Sequence, residues 1–373
     1  MLCIVVVAAA IAWPRPANAR HFLAYSEDSF KTAFASGNLT AAVTHDWPRV
    51  VFEHATDPFS STFQVGLPRL FLFNDSNSDG VFSLSELTYA SYLDNNHVTW
   101  DVTPVSFGHD ATALEYATFQ MSASLSLYNG SSNQTLAVSD WATIALRFTI
   151  SQENVSRSNS LGAYVVAGKT DIAVDLSIGI LKPMVASGVV VEQDLVGGGL
   201  SDMFDLKQAG ANGSVVDEFV SSDVDDTVYG TGFTHRFNAT TLPYQEVAFA
   251  TTDHVVRAYY KWDSEPTVDS GGIAAVLPMA SSYIMTSAGM TLHTAYLVGN
   301  GTATIHQVSI IGIDEAGFPG PIHNWLRENL VSVIVFTCVM AAVIVVSAVW
   351  LVHRRKRGPR SPEKEEPETE KKA

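Results

Sequence analysis

The stretch TDIAVDLSIGIL, residues 170–181, decides the fold class, because its apolar and polar side chains alternate one by one. A period of two is typical of a β-strand with one face buried and the other exposed to solvent. Several short stretches share this pattern and are bounded by Gly, Asn, Ser or Asp: QMSASLSLYN, ATIALRFTIS, GAYVVAG, YQEVAFATT, HVVRAYYKW and TATIHQVSIIGI. We therefore expect a mainly β protein, an antiparallel β-sandwich or jelly-roll-like domain. The absence of a fixed-period repeat argues against a propeller or a solenoid.

The amino-terminal segment has the features of a secretory signal peptide. Residues 2–13 are apolar and uncharged, and Pro14 and Pro16 follow them. Ala17-Asn18-Ala19 then gives the small-x-small pattern that signal peptidase cleaves. We expect cleavage after Ala19, so that residues 1–19 are removed. An uncleaved anchor is the alternative, but the apolar run is shorter than the roughly 20 residues of a membrane span.

The carboxy-terminal part predicts a transmembrane helix. Residues 331–352, VSVIVFTCVMAAVIVVSAVWLV, are uncharged and long enough to cross a bilayer, and His353-Arg354-Arg355-Lys356-Arg357 follows directly. Such a basic cluster stays on the cytoplasmic side, which predicts a single-pass type I membrane protein of the secretory pathway. The expected organisation is a signal peptide at 1–19, an N-terminal segment at 20–66, a calcium motif at 67–94, a β-rich ectodomain at 95–318, a juxtamembrane segment at 319–330, the membrane span at 331–352 and a cytoplasmic tail at 353–373.

Glycosylation motifs support an extracellular or lumenal location. Asn-x-Ser/Thr sequons lie only before the predicted span, and more of them are present than chance would give. The predicted glycan acceptors are Asn38, Asn129, Asn133, Asn154, Asn212, Asn238 and Asn300, and Asn74 also lies in a sequon. This abundance predicts a eukaryotic cell-surface glycoprotein.

Cysteine and charge exclude several classes of function. The two cysteines, Cys3 and Cys338, lie in the predicted signal peptide and membrane span, so the ectodomain has no disulfide and no zinc finger. The chain has 22 Lys or Arg and 38 Asp or Glu, which gives a formal net charge of −16. A nucleic-acid ligand is not expected, because phosphates require basic patches. The acidic stretch DEFVSSDVDDT, from Asp217 to Thr227, lacks ligand spacing and is interpreted as a solvated loop.

The stretch DSNSDGVFSLSE, residues 75–86, places oxygen-bearing groups at the spacing that a calcium ion requires. Calcium takes six to eight hard oxygen ligands, and a glutamate at the twelfth position can supply two of them. A glycine allows the sharp turn in the middle of such a loop. The predicted ligands are Asp75, Asn77, Asp79, the backbone carbonyl of Val81, Ser83 and Glu86. An ordinary polar turn without a metal is the alternative.

These residues resemble the calcium loop of the EF-hand family, and the resemblance covers residues 67–94 only. It implies a bound Ca²⁺ and two flanking helices, an entering one in LPRLFLFN and an exiting one in ELTYASYL. No second loop of this pattern is present. Because a sensor needs a pair of helices that can open, we expect a structural calcium ion. A further short helix is expected around residues 26–35.

An enzyme is the alternative interpretation. VDSGG at residues 268–272 is similar to the nucleophile motif of trypsin-like serine proteases, and His45 and Asp171 are similar in chain order to their base and acid. Val268, however, stands where that family has glycine. We therefore expect a non-enzymatic adhesion or binding ectodomain that calcium stabilises, with an extracellular protein or a glycan as partner. The alternatives are a membrane-tethered serine hydrolase and a structural coat glycoprotein.

Overall fold

The structure is a computed structural model of the whole chain. It describes residues 18–20, 22–55, 62–109, 114–129, 135–183, 185–198, 203–209, 215–221, 235–237, 242–270, 272–286, 288–299 and 301–314. All of them belong to one unit, Met1–Phe318.

Within these residues the chain forms 25 β-strands and one short 3-10 helix, Leu84–Glu86. The first half of the strands is β1 Asn18–Arg20, β2 Leu23–Glu27, β3 Lys31–Ser36, β4 Leu39–Thr44, β5 Arg49–His54, β6 Thr62–Phe73, β7 Leu87–Tyr92, β8 Asp101–Val102, β9 Ser106–His109, β10 Glu115–Asn129, β11 Leu136–Ser151, β12 Val155–Asn159 and β13 Gly162–Val166. The second half is β14 Asp171–Ile180, β15 Gly188–Gly197, β16 Met203–Ala209, β17 Val215–Ser221, β18 His235–Arg236, β19 Tyr244–Ala250, β20 Val256–Asp263, β21 Thr267–Ser270, β22 Ile273–Val276, β23 Met279–Thr286, β24 Gly289–Tyr296 and β25 Ala303–Ile313.

The first sheet has the order β1-β2-β3-β4-β5-β6-β15-β24-β23-β18, and every pairing is antiparallel. The long strand β6 organises this sheet. Along one edge it pairs with β15 over nearly its whole length, and along the other it pairs first with β5 and then with β7. Because β6 lies near the middle of the strand order, the connection between β6 and β7 starts from the interior of this sheet and not from an edge strand.

The second sheet has the order β10-β11-β14-β25-β20-β19-β16-β17, again antiparallel. The short strands β7, β8 and β9 pair with the other edge of β10, and the β21–β22 hairpin pairs with β25. In the described part of the chain, only β7 pairs with strands of both sheets, with β6 in the first and β10 in the second.

The main core lies between the two sheets. Phe52 and Phe63 of the first sheet pack against Phe249 of the second, with ring centroids 6.2 and 5.1 Å apart. Phe204 adds a further ring contact to Phe249 at 5.5 Å. Alternate residues of each strand supply this layer, as the period of two in the sequence requires.

The predicted helical EF-hand insertion is wrong, because its two helices are strands. Residues 67–73 of the entering segment belong to β6, and residues 87–92 of the exiting segment form β7. In β6, Leu72 faces the main core while Phe71 and Phe73 belong to a second cluster on the opposite face of the sheet. A strand buried on both faces has a continuous apolar sequence and loses the alternation that identifies strands.

Two other helix predictions have different outcomes. The helix expected around residues 26–35 is wrong, since these residues form parts of β2 and β3 and the turn between them. In the described residues, no helix is long and apolar enough to cross a membrane. Residues 331–352, the predicted membrane span, lie outside the described residues, as do 1–17, 319–330 and 353–373.

Candidate functional site

The predicted calcium ligands lie in the connection between β6 and β7, residues 74–86, which we call the β6–β7 loop. Phe82 anchors this loop to the outer face of the first sheet. Its ring is buried and lies 5.4 Å from that of Phe71 and 5.7 Å from that of Phe73. The eighth residue of the loop is thus part of the second apolar cluster.

Asp75 organises the first half of the loop. Its Oδ1 accepts a hydrogen bond from the backbone N–H of Asp79 at 3.2 Å, and its Oδ2 accepts one from Gly80 at 3.0 Å. Asn77 Oδ1 accepts from the same Asp79 N–H, and Asp79 Oδ1 accepts from Val81 N–H at 2.8 Å. These short-range bonds fold the backbone around the side-chain oxygens of the first, third and fifth loop positions.

Glu86 ties the two ends of the loop together. Its carboxylate is buried, with Oε1 accepting from the N–H and hydroxyl of Ser76 at 3.0 and 3.1 Å. Oε2 accepts from the N–H and hydroxyl of Ser83 at 3.2 and 3.1 Å. The residue at the twelfth position thus already contacts both halves of the loop.

The loop is also fixed to the connection between β14 and β15. Asp75 N–H donates to Ser187 Oγ at 3.0 Å, and that hydroxyl donates to Asn74 Oδ1 at 3.2 Å. Ser187 N–H in turn donates to the carbonyl of Phe73 at 2.9 Å. Two chain segments therefore set the position of the first predicted ligand.

The predicted ligand set is only partly assembled. Asp75, Asn77, Asp79, Val81, Ser83 and Glu86 share one loop, but no group of three His, Cys, Asp or Glu side chains that could hold a metal ion occurs among the residues that the structure describes. The helical EF-hand geometry is therefore wrong for this part of the chain, because both flanking segments are strands, whereas calcium binding by the six loop residues stays a prediction.

The chemistry of the donors still fits calcium. The loop offers three carboxylates, an amide oxygen, hydroxyls and a carbonyl, all of them hard oxygen ligands. The hydrogen-bonded oxygens of Asp75, Asn77 and Asp79 accept one N–H each and retain a second lone pair for a cation. Each oxygen of Glu86 accepts two bonds and would exchange one of them for the ion.

Four of the predicted or possible glycan acceptors can be placed. Asn74, Asn129 and Asn154 are exposed, and Asn38 is half-buried in the turn between β3 and β4. In Asn74 and Asn154 the hydrogen-bonded atom is Oδ1, and no bond of Nδ2, the atom that carries a glycan, is found with the described residues. The acceptors Asn133, Asn212, Asn238 and Asn300 lie outside the described residues.

The serine-protease residues do not form a hydrogen-bonded triad. A ring nitrogen of His45 lies 3.0 Å from Thr32 Oγ1, and Asp171 accepts from the hydroxyl of Tyr259 at 2.6 Å. Ser270 Oγ donates to the carbonyl of Thr302 at 3.4 Å. His45, Asp171 and Ser270 thus each bind a residue outside the expected triad.

The acidic stretch is described only at its start. Asp217 and Glu218 are exposed on β17, and the later aspartates, Asp223, Asp225 and Asp226, lie outside the described residues.

Sequence reasoning missed a buried ionic group under the β6–β7 loop. Glu192 of β15 accepts from Arg69 Nε at 2.7 Å and lies 3.2 Å from His293 Nε2, and the His293 ring packs edge-on against Phe82 at 5.1 Å. The three polar residues come from three strands. The sequence offers one signal for the group: Glu192 interrupts the apolar run GVVV that begins β15.

No protein-family model matches the chain, and no curated protein matches it either. The resemblance to the EF-hand family therefore rests on the residue types of the loop alone.

Proposed function

We propose that the β6–β7 loop binds one Ca²⁺ ion and that this ion stabilises a glycosylated extracellular or lumenal β-domain with a binding or adhesion role. The observation that carries the proposal is the arrangement of Asp75 and Glu86. These residues stand at the first and twelfth positions, and their four carboxylate oxygens hold the backbone of the loop between them.

Asp75, Asn77, Asp79, Ser83 and Glu86 would hold the ion through side-chain oxygens, with the carbonyl of Val81 as a further ligand. The ion would supply positive charge to three carboxylates that now share one short loop. Because like charges repel, the loop without a cation is less stable than the same loop with one. Phe82 would transmit this stabilisation to the second apolar cluster, since its ring fills the space between the loop and the sheet.

The location is supported by the sequons. Asn74, Asn129 and Asn154 are exposed, as glycan addition requires. A single calcium loop of weak affinity would be occupied at the calcium concentrations found outside cells. Extracellular modules bind calcium with Kd values of roughly 10⁻⁴ to 10⁻³ M. The partner is proposed to be an extracellular protein or a glycan, and no enzymatic reaction is proposed.

Thermal unfolding of the full chain in calcium and in chelator tests the proposal. A metal that binds only the folded state adds about 2.7 kcal/mol when its concentration is a hundred times Kd. We expect calcium to raise the unfolding midpoint of the wild type but not that of Glu86→Gln, which removes the charge and replaces one of the two acceptor oxygens by an NH2 donor. Leu84→Ala is the matched control, because Leu84 is an exposed residue of the same loop without an oxygen ligand. An equal response of wild type and Glu86→Gln to calcium would disprove the proposal.

A further inference from the structure

A second polar site lies away from the β6–β7 loop, in a groove of about 360 Å³. We call it the β2–β3 groove. One wall is the turn between β2 and β3, and the opposite wall is the segment around β8. The side chains that matter for the argument are Glu27, Asp28, Thr32, His45 and Trp100.

The groove has negative charge and no cation of its own. Glu27 and Asp28 line it, and no lysine or arginine is among its lining residues within the described chain. Burial lowers the pKa of His45 below its ordinary value, against the opposing effects of the Ser29 carbonyl and of nearby carboxylates. The imidazole is therefore neutral at pH 7, and the carboxylates have no counter-ion inside the groove.

Hydrogen bonds hold the walls in place. Asp28 Oδ1 accepts the N–H groups of Phe30 and Lys31 at 2.7 and 2.9 Å, and Glu27 Oε1 accepts from Val105 N–H. Trp100 Nε1 donates to the Leu93 carbonyl at 3.1 Å. Only one oxygen of each carboxylate is used with the described residues, which leaves Oε2 of Glu27 and Oδ2 of Asp28 as acceptors. A binding site with fixed walls loses little conformational entropy when a ligand enters.

A second groove, of about 290 Å³, shows that acidic lining alone does not make such a site. Its carboxylates are already bound by the protein. Arg157 lies 3.5 Å from Asp175, the hydroxyl of Tyr164 donates to Asp263 at 2.9 Å, and Ser160 N–H donates to Glu265 at 2.7 Å. There the carboxylates contact residues of the β12–β13 hairpin, whereas those of the β2–β3 groove accept only backbone N–H groups from the described residues.

The region around the β2–β3 groove is also free of the described sequons. Asn38 lies beyond the far end of β3 from the groove, a distance of about 20 Å for a six-residue strand. A large apolar side chain stands at the rim instead, since Phe30 is 74% exposed. Exposed aromatic groups next to fixed polar groups are typical of protein-binding surfaces.

We propose that the β2–β3 groove binds an arginine or lysine side chain of a partner protein. Carboxylates that are already oriented accept the charge-assisted hydrogen bonds of a guanidinium or ammonium group. The indole of Trp100 gives such a cation an aromatic surface, and arginine uses both kinds of contact best. The formal net charge of −16 attracts a basic partner over longer distances. This site is separate from the calcium loop and shares no residue with it.

Calorimetric titration of the full chain with a tetra-arginine peptide tests this assignment, with tetra-glutamine as the uncharged probe. We expect tetra-arginine to bind and tetra-glutamine not to bind. Asp28→Asn and Glu27→Gln keep the oxygens that accept backbone N–H groups, so they remove charge without removing the walls. Each is expected to weaken binding by about tenfold or more, as the loss of a hydrogen bond to a charged group predicts.

Glu265→Gln in the other groove is the matched control and is expected to change affinity by less than about twofold, the effect of a distant surface charge. If Glu265→Gln weakens binding as much as Asp28→Asn does, the peptide only senses the overall negative charge and the assignment is wrong. Failure of tetra-arginine to bind the wild type would also overturn it. Each titration is run in calcium and in chelator. If tetra-arginine binds in both calcium and chelator while calcium does not change the unfolding midpoint, the calcium proposal is rejected and the assignment of the β2–β3 groove is retained.

Discussion

The imidazole of His293 lies 3.2 Å from the carboxylate of Glu192, and both side chains are almost completely buried, with exposed fractions of 2% and 3%. Phe82 of the β6–β7 loop packs against this imidazole, so the loop covers this buried contact. Burial raises the pKa of Glu192, but the bond from His293 and the charge of Arg69 outweigh that effect and bring its pKa below the ordinary value. The carboxylate is therefore charged in the folded protein at neutral pH.

Glu192→Gln is expected to destabilise the protein by about 1.5–3 kcal/mol, because the buried carboxylate no longer forms its charge-assisted hydrogen bonds with Arg69 and His293. Urea unfolding at pH 7 measures the loss. Asp175→Asn is the control, since Asp175 and Arg157 form a partly exposed pair that contributes at most about 1 kcal/mol. Because the pKa of Glu192 is lowered in the folded protein, its contribution to the free energy of unfolding is present above the ordinary glutamate pKa. This contribution disappears as pH falls through the pKa of the folded state. Equal losses in the two variants would contradict this prediction.

Phe82→Ala is expected to cost about 3–5 kcal/mol, the usual loss for a buried phenylalanine, because the ring closes the second apolar cluster. The neighbouring Leu84→Ala should change stability by less than about 0.5 kcal/mol, since Leu84 is exposed. Denaturant unfolding of both variants checks the difference. A loss in Phe82→Ala as small as that in Leu84→Ala would mean that the loop is not anchored through this ring.

Gly80→Ala tests the turn inside the loop. Gly80 has a φ of 72°, and an added Cβ would lie 3.4 Å from a methyl group of Leu297, so the cost comes mainly from the backbone. We expect a destabilisation of about 1–2 kcal/mol, the cost of the left-handed conformation for a residue with a side chain. Gly299→Ala is the control, because Gly299 has open space and no left-handed φ. Equal thermal unfolding midpoints of Gly80→Ala and Gly299→Ala would contradict this prediction.

Asp171→Asn tests a buried carboxyl group on the outer face of the second sheet. Burial raises the pKa of Asp171 to about 6, against bonds from Tyr259 and Ala167 and the charge of Lys261, while Glu246 raises it further. A raised pKa favours the protonated group in the folded state. Its contribution to stability is therefore complete below the unfolded pKa near 4 and decreases as pH rises through about 6.

We expect wild-type stability to fall by about 3 kcal/mol more than that of Asp171→Asn between pH 4 and 7, since each pKa unit corresponds to about 1.36 kcal/mol. Urea unfolding of both proteins across this range measures the difference. Parallel pH profiles would show that Asp171 is not the group responsible.

The strands could be predicted wherever one face of the sheet is buried and the other is not. The strand expected at residues 170–181 is confirmed as β14. The prediction failed at β6, where Leu72 and Phe73 are buried on opposite faces. Such a strand has no alternation, and a continuous apolar run can equally be a helix.

The residue types of the candidate loop could be predicted from their spacing, but its surroundings could not. Ser187, which binds the N–H of Asp75, is 112 residues away in the chain. His293, which contacts Phe82, lies on β24. Contacts of this kind depend on sheet order, and no local pattern in one sequence encodes that order. The β2–β3 groove could not be predicted for the same reason, since Trp100 and Asp28 are distant in the chain and line one groove only in the folded structure.

The pairing of β7 with β10 has a mechanical consequence. Within the described residues, only two residue pairs, Ala90 with Tyr128 and Tyr89 with Asn129, join the backbones of the two sheets. Elsewhere the sheets adhere through side chains, which slide and separate more readily than hydrogen-bonded backbones. The cohesion of the sandwich therefore depends on the side chains of the core between the sheets far more than on backbone hydrogen bonds across it.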